Sequence, residues 1–180
     1  MRGGTQPADG EVVRRVLAGE AELFRVLVER YREEFGRFAS SLTGDPDSAA
    51  DAMQEAFIRA YTSLASCRDP ERFKHWFFRI LTNRCHTVRS RRKQEVPLEG
   101  PEPASAARTD ARVEQNELRD ILARALDTLT EEQRTAFVLK EVEGYGYDEM
   151  SRILGVGVDA LKMRVYRARD ALRARLRESA

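Results

Sequence analysis

Cysteine is scarce in this 180-residue chain: there are two, Cys67 and Cys85, in no CxxC or Cys/His ligand spacing. That spacing supports neither a disulfide scaffold nor a zinc site, and both thiols are expected to be reduced, as in cytosol. Histidine is equally sparse. His75 and His86 lie far apart in sequence with no third ligand nearby, so no metal is expected. Cys85 and His86 are adjacent, but neighbours on a helix point apart, which removes a thiol–imidazole nucleophile. Long apolar runs are missing, and a bilayer span needs roughly 20 such residues. The opening MRGGTQPADGE has no apolar signal core. A soluble, cytoplasmic protein without membrane insertion is expected. No alternating run bounded by turn residues argues for a strand. Gly155-Val156-Gly157 lacks the strand and spacing of a phosphate-cradling loop. No acid/base pair stands out among the carboxylates, so the chain is expected to be no enzyme, with no catalytic residue and no cofactor.

What the chain has is charge, 34% of its residues, almost balanced at a formal net +1. The balance conceals blocks. Arg68 to Lys93 carries nine Lys/Arg against two Asp/Glu. Gln94 to Asp120 carries three against seven, and Leu161 to Arg177 seven against one. Two basic blocks separated by acidic ground point to two contact sites for a polyanion.

Nearly every periodic segment predicts a helix. Glu11 to Ala18 is a short one that Gly19 can stop. Ala21 to Leu42 follows, with Leu23, Leu27, Val28, Tyr31, Phe35, Phe38 and Leu42 as its buried face. Gly44-Asp45-Pro46 breaks it, and Asp47 is placed to cap the next helix, which runs to about Leu64. Asp69-Pro70 is a second start signal, opening a helix that ends in Arg89-Ser90-Arg91-Arg92-Lys93. VPLEGPEPASAARTDAR then holds three of the six prolines, with no period, and reads as a linker. Helices resume near Val113, with Leu118, Ile121, Leu122, Ala125, Leu126 and Leu129 inward. Thr130 to Gln133 is a capping box for Glu131 to Glu143, which Gly144 can close. The expected fold class is all-α: two small helical domains over 9–93 and 113–178, joined by a flexible, acidic linker over 94–112.

Tyr147 to Leu154, a glycine turn, and Val158 to about Arg177 form a helix-turn-helix pattern. Leu161, Val165, Ala168, Leu172 and Leu176 recur at steps of three and four as the stripe that packs. Met150, Ile153 and Leu154 are expected to bury against Leu161 and Val165. Asp159, Lys162, Met163, Tyr166 and Arg167 fall off the stripe, where a helix lying in the major groove reaches base edges. Arg164 and Arg169 suit phosphates. The alternative is an αα-hairpin with a solvated basic face. Gly144 to Gly155, followed by Val158 to Arg169, resembles the promoter −35-reading region of bacterial extracytoplasmic-function (ECF) sigma factors, and Leu126 to Arg134 is similar to the lead-in of that region.

Asp45 to Phe57 resembles the sigma segment that docks on the clamp helices of RNA polymerase. From the residues alone, Ala52, Met53, Ala56, Phe57, Ala60 and Tyr61 make the inward stripe. Asp51, Gln54, Glu55 and Arg59 then share a solvated face with a Glu55–Arg59 pair. The resemblance instead makes Asp51, Gln54 and Glu55 polymerase contacts. Phe73 to Arg84 is the second matching block, aromatics interleaved with cations. The resemblance assigns it, with the preceding loop Ala65 to Asp69, to the −10 element and a flipped base. Ser66, Cys67, Arg68, Arg79 and Asn83 take that role. Arg89, Arg91, Arg92 and Lys93 most simply hold phosphate, while Trp76, Phe77 and Ile80 fit the core better than a stacking platform.

The resemblance covers about Glu11 to Leu176, with departures at Gly146, Gly157 and Thr87. It implies an ECF-type sigma factor that binds core RNA polymerase through the clamp helices and flap of its large subunits. It also implies promoter DNA and an anti-sigma factor as partners. Two alternatives remain. A conventional helix-turn-helix regulator leaves the Asp51/Gln54/Glu55 face and Phe73 to Arg84 without a task. A pure protein-interaction module leaves both basic blocks unexplained.

Overall fold

The structure, a computed structural model, describes residues 7–95 and 125–178, and every regular element among them is helical. The linker expected over 94–112 falls almost wholly outside the described residues, as do Leu118, Ile121 and Leu122. Two bodies result, each with its own core.

The N-terminal body opens with α1, Asp9–Leu17. A single 3-10 turn, Ala21–Leu23, precedes α2, Phe24–Thr43, so the one helix expected from Ala21 begins three residues later. Gly44 closes α2 at φ +76°, the left-handed conformation that spares glycine a Cβ clash. The cap of α3, Pro46–Thr62, is Asp45 and not Asp47: its carboxylate accepts the Ser48 amide at 2.7 Å, with Pro46 as first helical residue. A cap must sit just outside the helix, and Pro46 at the first helical position makes that residue Asp45. Asp69 also caps, but the turn it starts, Pro70–Arg72, is 3-10, and α4 runs from Phe73 to Glu95.

The α2 residues expected inward at steps of three and four are largely so: Leu27, Tyr31, Phe35, Phe38 and Leu42 are buried, while Leu23 and Val28 are half-buried. The rings of α2 and α4 interleave. Phe35 stacks on Phe77 at 4.8 Å and meets Phe78 edge-on at 5.4 Å; Phe38 lies 4.4 Å from Phe78. Such pairs add about 0.5–1.5 kcal/mol beyond the area they bury. On α3, Ala49, Ala52, Ala56 and Ala60 are buried, small side chains that let its backbone lie close against α2. Phe57 reaches past them to Phe77 at 4.5 Å. Tyr61, expected inward, is exposed except where its ring edge meets Phe24 at 5.2 Å.

Among the described residues the C-terminal body opens with helical residues 125–127. Thr130 and Gln133 form the expected capping box at the start of α5, Glu131–Phe137. The continuation to Val142 is a π-helical turn, not the α-helix expected as far as Glu143. The Glu143 amide reaches back to the Val138 carbonyl at 3.0 Å, a turn one residue wider than an α-turn. Gly144, at φ +75°, closes it. α6, Tyr147–Leu154, is followed by Gly155 at φ +67° and by α7, Val158–Glu178. Ala125, Leu126, Leu129, Ala168 and Leu172 cluster, with Phe137 and Ala171 against them. The stripe of α7 ends there. Leu176, expected to continue it, is 41% exposed, because the helix outruns the cluster it packs on.

Cys85 is fully buried on α4, and burial pushes its thiol up to about 12. The fold therefore favours the neutral thiol. Its contribution is complete below the ordinary thiol value of about 8.5 and is lost as pH rises from there toward 12. We expect the urea midpoint of the N-terminal body to fall across that window and to fall less in Cys85→Ala. Equal slopes for parent and variant would contradict the assignment. Burial also raises the Tyr31 phenol, aided by its hydrogen bond to Asp9, so part of the alkaline loss should survive the substitution.

Candidate nucleic-acid interface

In the C-terminal body the apolar stripe turns one side of α7 inward: Leu161, Val165 and Ala168 are buried, as are Met150 and Ile153 of α6. The opposite side is open. Asp159, Lys162 and Arg167 are exposed, Met163 is 48% exposed and Tyr166 63%. These five share a face at helical spacing, near the N-terminal end of α7. Lys162 Nζ lies 3.6 Å from Asp159 Oδ1, a loose pair on a solvated surface. Met163 and Tyr166 are large apolar groups that the fold of this body leaves outside, next to cations.

Arg164 and Arg169 are placed differently from their neighbours. Arg164 is half-buried, with Nη2 2.9 Å from Glu132 on α5, and Arg169 Nη2 lies 2.5 Å from Glu141 in the π turn. The two guanidiniums therefore hold α7 to α5 and to the π turn that continues it. The sequence carries no sign of these pairs, since the partners lie about 30 residues apart and no helical period connects them. Arg134 was also missed, although its partner lies only seven residues away, because a lone Arg in a polar first turn carries no sign of burial. It is 2% exposed, bonded to Asp127 at 2.6 Å, and helps tie α5 to the segment before it.

In the N-terminal body, α4 presents Arg79 and Asn83 outward, one turn apart. Trp76 and Ile80, between and before them, keep part of their surface, whereas Phe77 is fully buried. The expectation of a core role thus holds for Phe77 and only partly for the other two. In the loop ahead of α4, Ser66 and Arg68 are exposed. Cys67 is turned inward, 5% exposed, and its thiol donates to the Asp69 carbonyl at 3.5 Å. Burial raises that thiol too, with the Asp69 charge adding to the effect. Its side chain braces the loop. Farther along α4, Arg91 and Arg92 are exposed and Arg89 is half-buried. Lys93 lies in α4, but its side chain is outside the described residues.

On α3, Asp51 and Gln54 are exposed and Glu55 is half-buried. Glu55 pairs with Arg84 of α4 at 3.7 Å, not with Arg59 as helical spacing had suggested. Ile58, 58% exposed, stands one turn beyond Gln54 and Glu55. An exposed branched apolar residue beside carboxylates suits a protein surface better than a phosphate backbone, and it was absent from the expected face. No helix among the described residues is long and apolar enough to cross a membrane.

Two family models match this chain, Sigma-70 region 2 over residues 27–95 and Sigma-70 region 4 over 119–172. The ECF RNA polymerase sigma-E factor of Escherichia coli K12 is 31% identical, with 93% of each chain covered. Among solved structures, CnrH, determined with the cytosolic domain of CnrY, is similar at a TM-score of 0.68 and 26% identity, covering 97% of this chain and 100% of that one. RpoE of Bartonella quintana, determined with the anti-sigma factor NepR, is similar at 0.59 and 28%, covering 86% and 96%. The two basic helical faces, each in a body of its own, thus coincide with the two matched regions, and the chain belongs to the ECF sigma factors of the sigma-70 family.

Proposed function

We propose that this sigma factor, acting in the cytoplasm, binds core RNA polymerase and places its two bodies on the two elements of a promoter. It is not an enzyme; polymerase performs the nucleotidyl transfer. The α3 face of Asp51, Gln54, Glu55 and Ile58 docks on the clamp helices of a large subunit, and the C-terminal body on the flap. Asp159, Lys162, Met163, Tyr166 and Arg167 enter the −35 major groove. Arg164 holds phosphate there by exchanging Glu132 for the DNA backbone.

The −10 element meets Ser66, Arg68, Arg79 and Asn83, with Arg89, Arg91 and Arg92 on phosphates and Cys67 bracing the loop. The observation that carries this assignment is the outward pair Arg79/Asn83 on α4, following a loop that displays Ser66 and Arg68. A base that leaves the stack costs a few kcal/mol; an amide and a guanidinium one helical turn apart offer it hydrogen-bond partners. A free protein with two exposed basic faces competes for DNA. An anti-sigma factor covering the polymerase-binding side is the expected restraint; the similar RpoE of Bartonella quintana was determined in complex with the anti-sigma factor NepR.

Permanganate footprinting of promoter fragments tests the proposal. Thymines near −10 should become reactive only when both core polymerase and this protein are present. In Asn83→Ala the reactivity should fall by about tenfold, the effect of one lost interaction near 1.4 kcal/mol, with polymerase binding unchanged. DNA binding by the protein alone, without polymerase-dependent opening, would indicate an ordinary helix-turn-helix regulator instead.

A further inference from the structure

We propose that α1, through Gly10 and Arg14, positions Glu71 and thereby the 65–69 loop that reads the −10 element. The inference rests on the −10 assignment above. It concerns a helix that precedes residue 27, where the region 2 match begins.

Gly10 is buried in the first turn of α1, against the Glu71 carboxylate. A Cβ at that position would stand 2.1 Å from Glu71 Oε1 and 2.7 Å from Oε2, so only glycine lets the carboxylate lie on the helix. One turn later, Arg14 Nη1 donates to the same Oε1 at 3.0 Å. The carboxylate also sits at the positive end of α1, where a negative charge is favoured. The platform itself is anchored: Val12 and Val13 are fully buried, and Asp9 accepts hydrogen bonds from both Arg30 and Tyr31 of α2.

From Glu71 the contacts run into the loop. Its amide donates to Asp69 Oδ1 at 3.2 Å, Arg72 Nε lies 3.2 Å from Asp69 Oδ2, and the Cys67 thiol donates to the Asp69 carbonyl. Asp69 therefore joins α1, through Glu71, to the residues that flank Arg68. The Arg14–Glu71 pair is more than half exposed on both sides, so it adds little to stability. What it can set is geometry: with the Glu71 side chain held, its backbone and the Asp69 cap keep one arrangement, and Ser66 and Arg68 are presented from it.

The experiment is run-off transcription with core polymerase and the full chain, on templates that differ only in the −10 bases. Gly10→Ala, Arg14→Ala and Glu71→Gln are compared with Arg68→Ala and Asn83→Ala. In Gly10→Ala the added methyl meets the far end of a flexible side chain, which can swing aside without opening the fold. Each of the three positioning variants should reduce discrimination among −10 templates by about two- to fivefold, the range that an exposed ion pair can impose. Core-polymerase binding and the urea midpoint should match the parent. Parental discrimination in these three, with losses in Arg68→Ala and Asn83→Ala, overturns the positioning role alone. No change in any of the five overturns the −10 assignment, and the positioning role with it. Transcripts falling equally from every template, together with a lower urea midpoint, would make α1 a stability element only.

Discussion

Phe35→Ala is expected to destabilise the N-terminal body by about 3–5 kcal/mol, the cost of deleting a buried phenyl ring from a core. Phe35 is fully buried, and three aromatic rings pack on it. It stacks on Tyr31 at 5.0 Å and on Phe77 at 4.8 Å, with Phe78 edge-on. The surroundings cannot close over the cavity by moving Phe77, because Phe57 and Phe73 hold that ring from other directions. Nor can Phe78 swing in without leaving Phe38. Against a typical total of about 5–15 kcal/mol for a domain, this is enough to leave a large fraction of the body unfolded under mild denaturant.

The chain reports on itself here. Its only tryptophan, Trp76, lies on α4 with its ring 5.8 Å from that of Phe73. Urea unfolding followed by Trp76 fluorescence should show the midpoint collapse. Helical signal from the C-terminal body, whose buried cluster shares no residue with this core, should persist to the parental midpoint. Promoter opening should vanish. A parental Trp76 transition in Phe35→Ala would mean that this ring is not the centre of the core.

The second large effect belongs to α7. Lys162→Ala and Arg167→Ala should each weaken −35-dependent transcription by about 1–3 kcal/mol if they touch bases. The two residues are exposed on the open face, and neither forms part of the buried stripe, so stability should not change. Two controls separate specific from general effects. On a template with a scrambled −35 element the losses should disappear, because there is no longer a contact to remove. In a salt titration of DNA binding, loss of a phosphate contact lowers the slope of log K against log salt by about 0.9, whereas loss of a base contact leaves the slope nearly as it was. Losses that persist undiminished on the scrambled template would assign both residues to general electrostatics.

Much of this was legible from residue types and spacing. The stripes of α2 and α7, the glycine at Gly155 and the Thr130 capping box are local: each depends on residues within a turn or two. Chain neighbours decide them before any tertiary contact exists. The few errors at helix ends were local too, a choice between Asp45 and Asp47 settled by Pro46, and a turn that adopted 3-10 geometry before α4. The open face of α7 could be named because a stripe that packs leaves an opposite side that does not.

Partners between elements could not be read this way. Helical spacing pairs Glu55 with Arg59; the side chain that meets it is Arg84, brought near by the packing of α4. Arg164 and Arg169 suit phosphates by their spacing, yet Glu132 and Glu141 hold them in this structure while Arg167 stands open. Cys67 lies between two exposed loop residues and turns inward. By itself the sequence determined the helices, the two basic faces and the family they belong to, because period, caps and charge blocks are properties of short stretches. Only the tertiary structure decided which cations are already engaged, which loop side chain is buried, and that Gly10 and Arg14 meet Glu71, because those contacts join residues that only the packing of separate helices brings together.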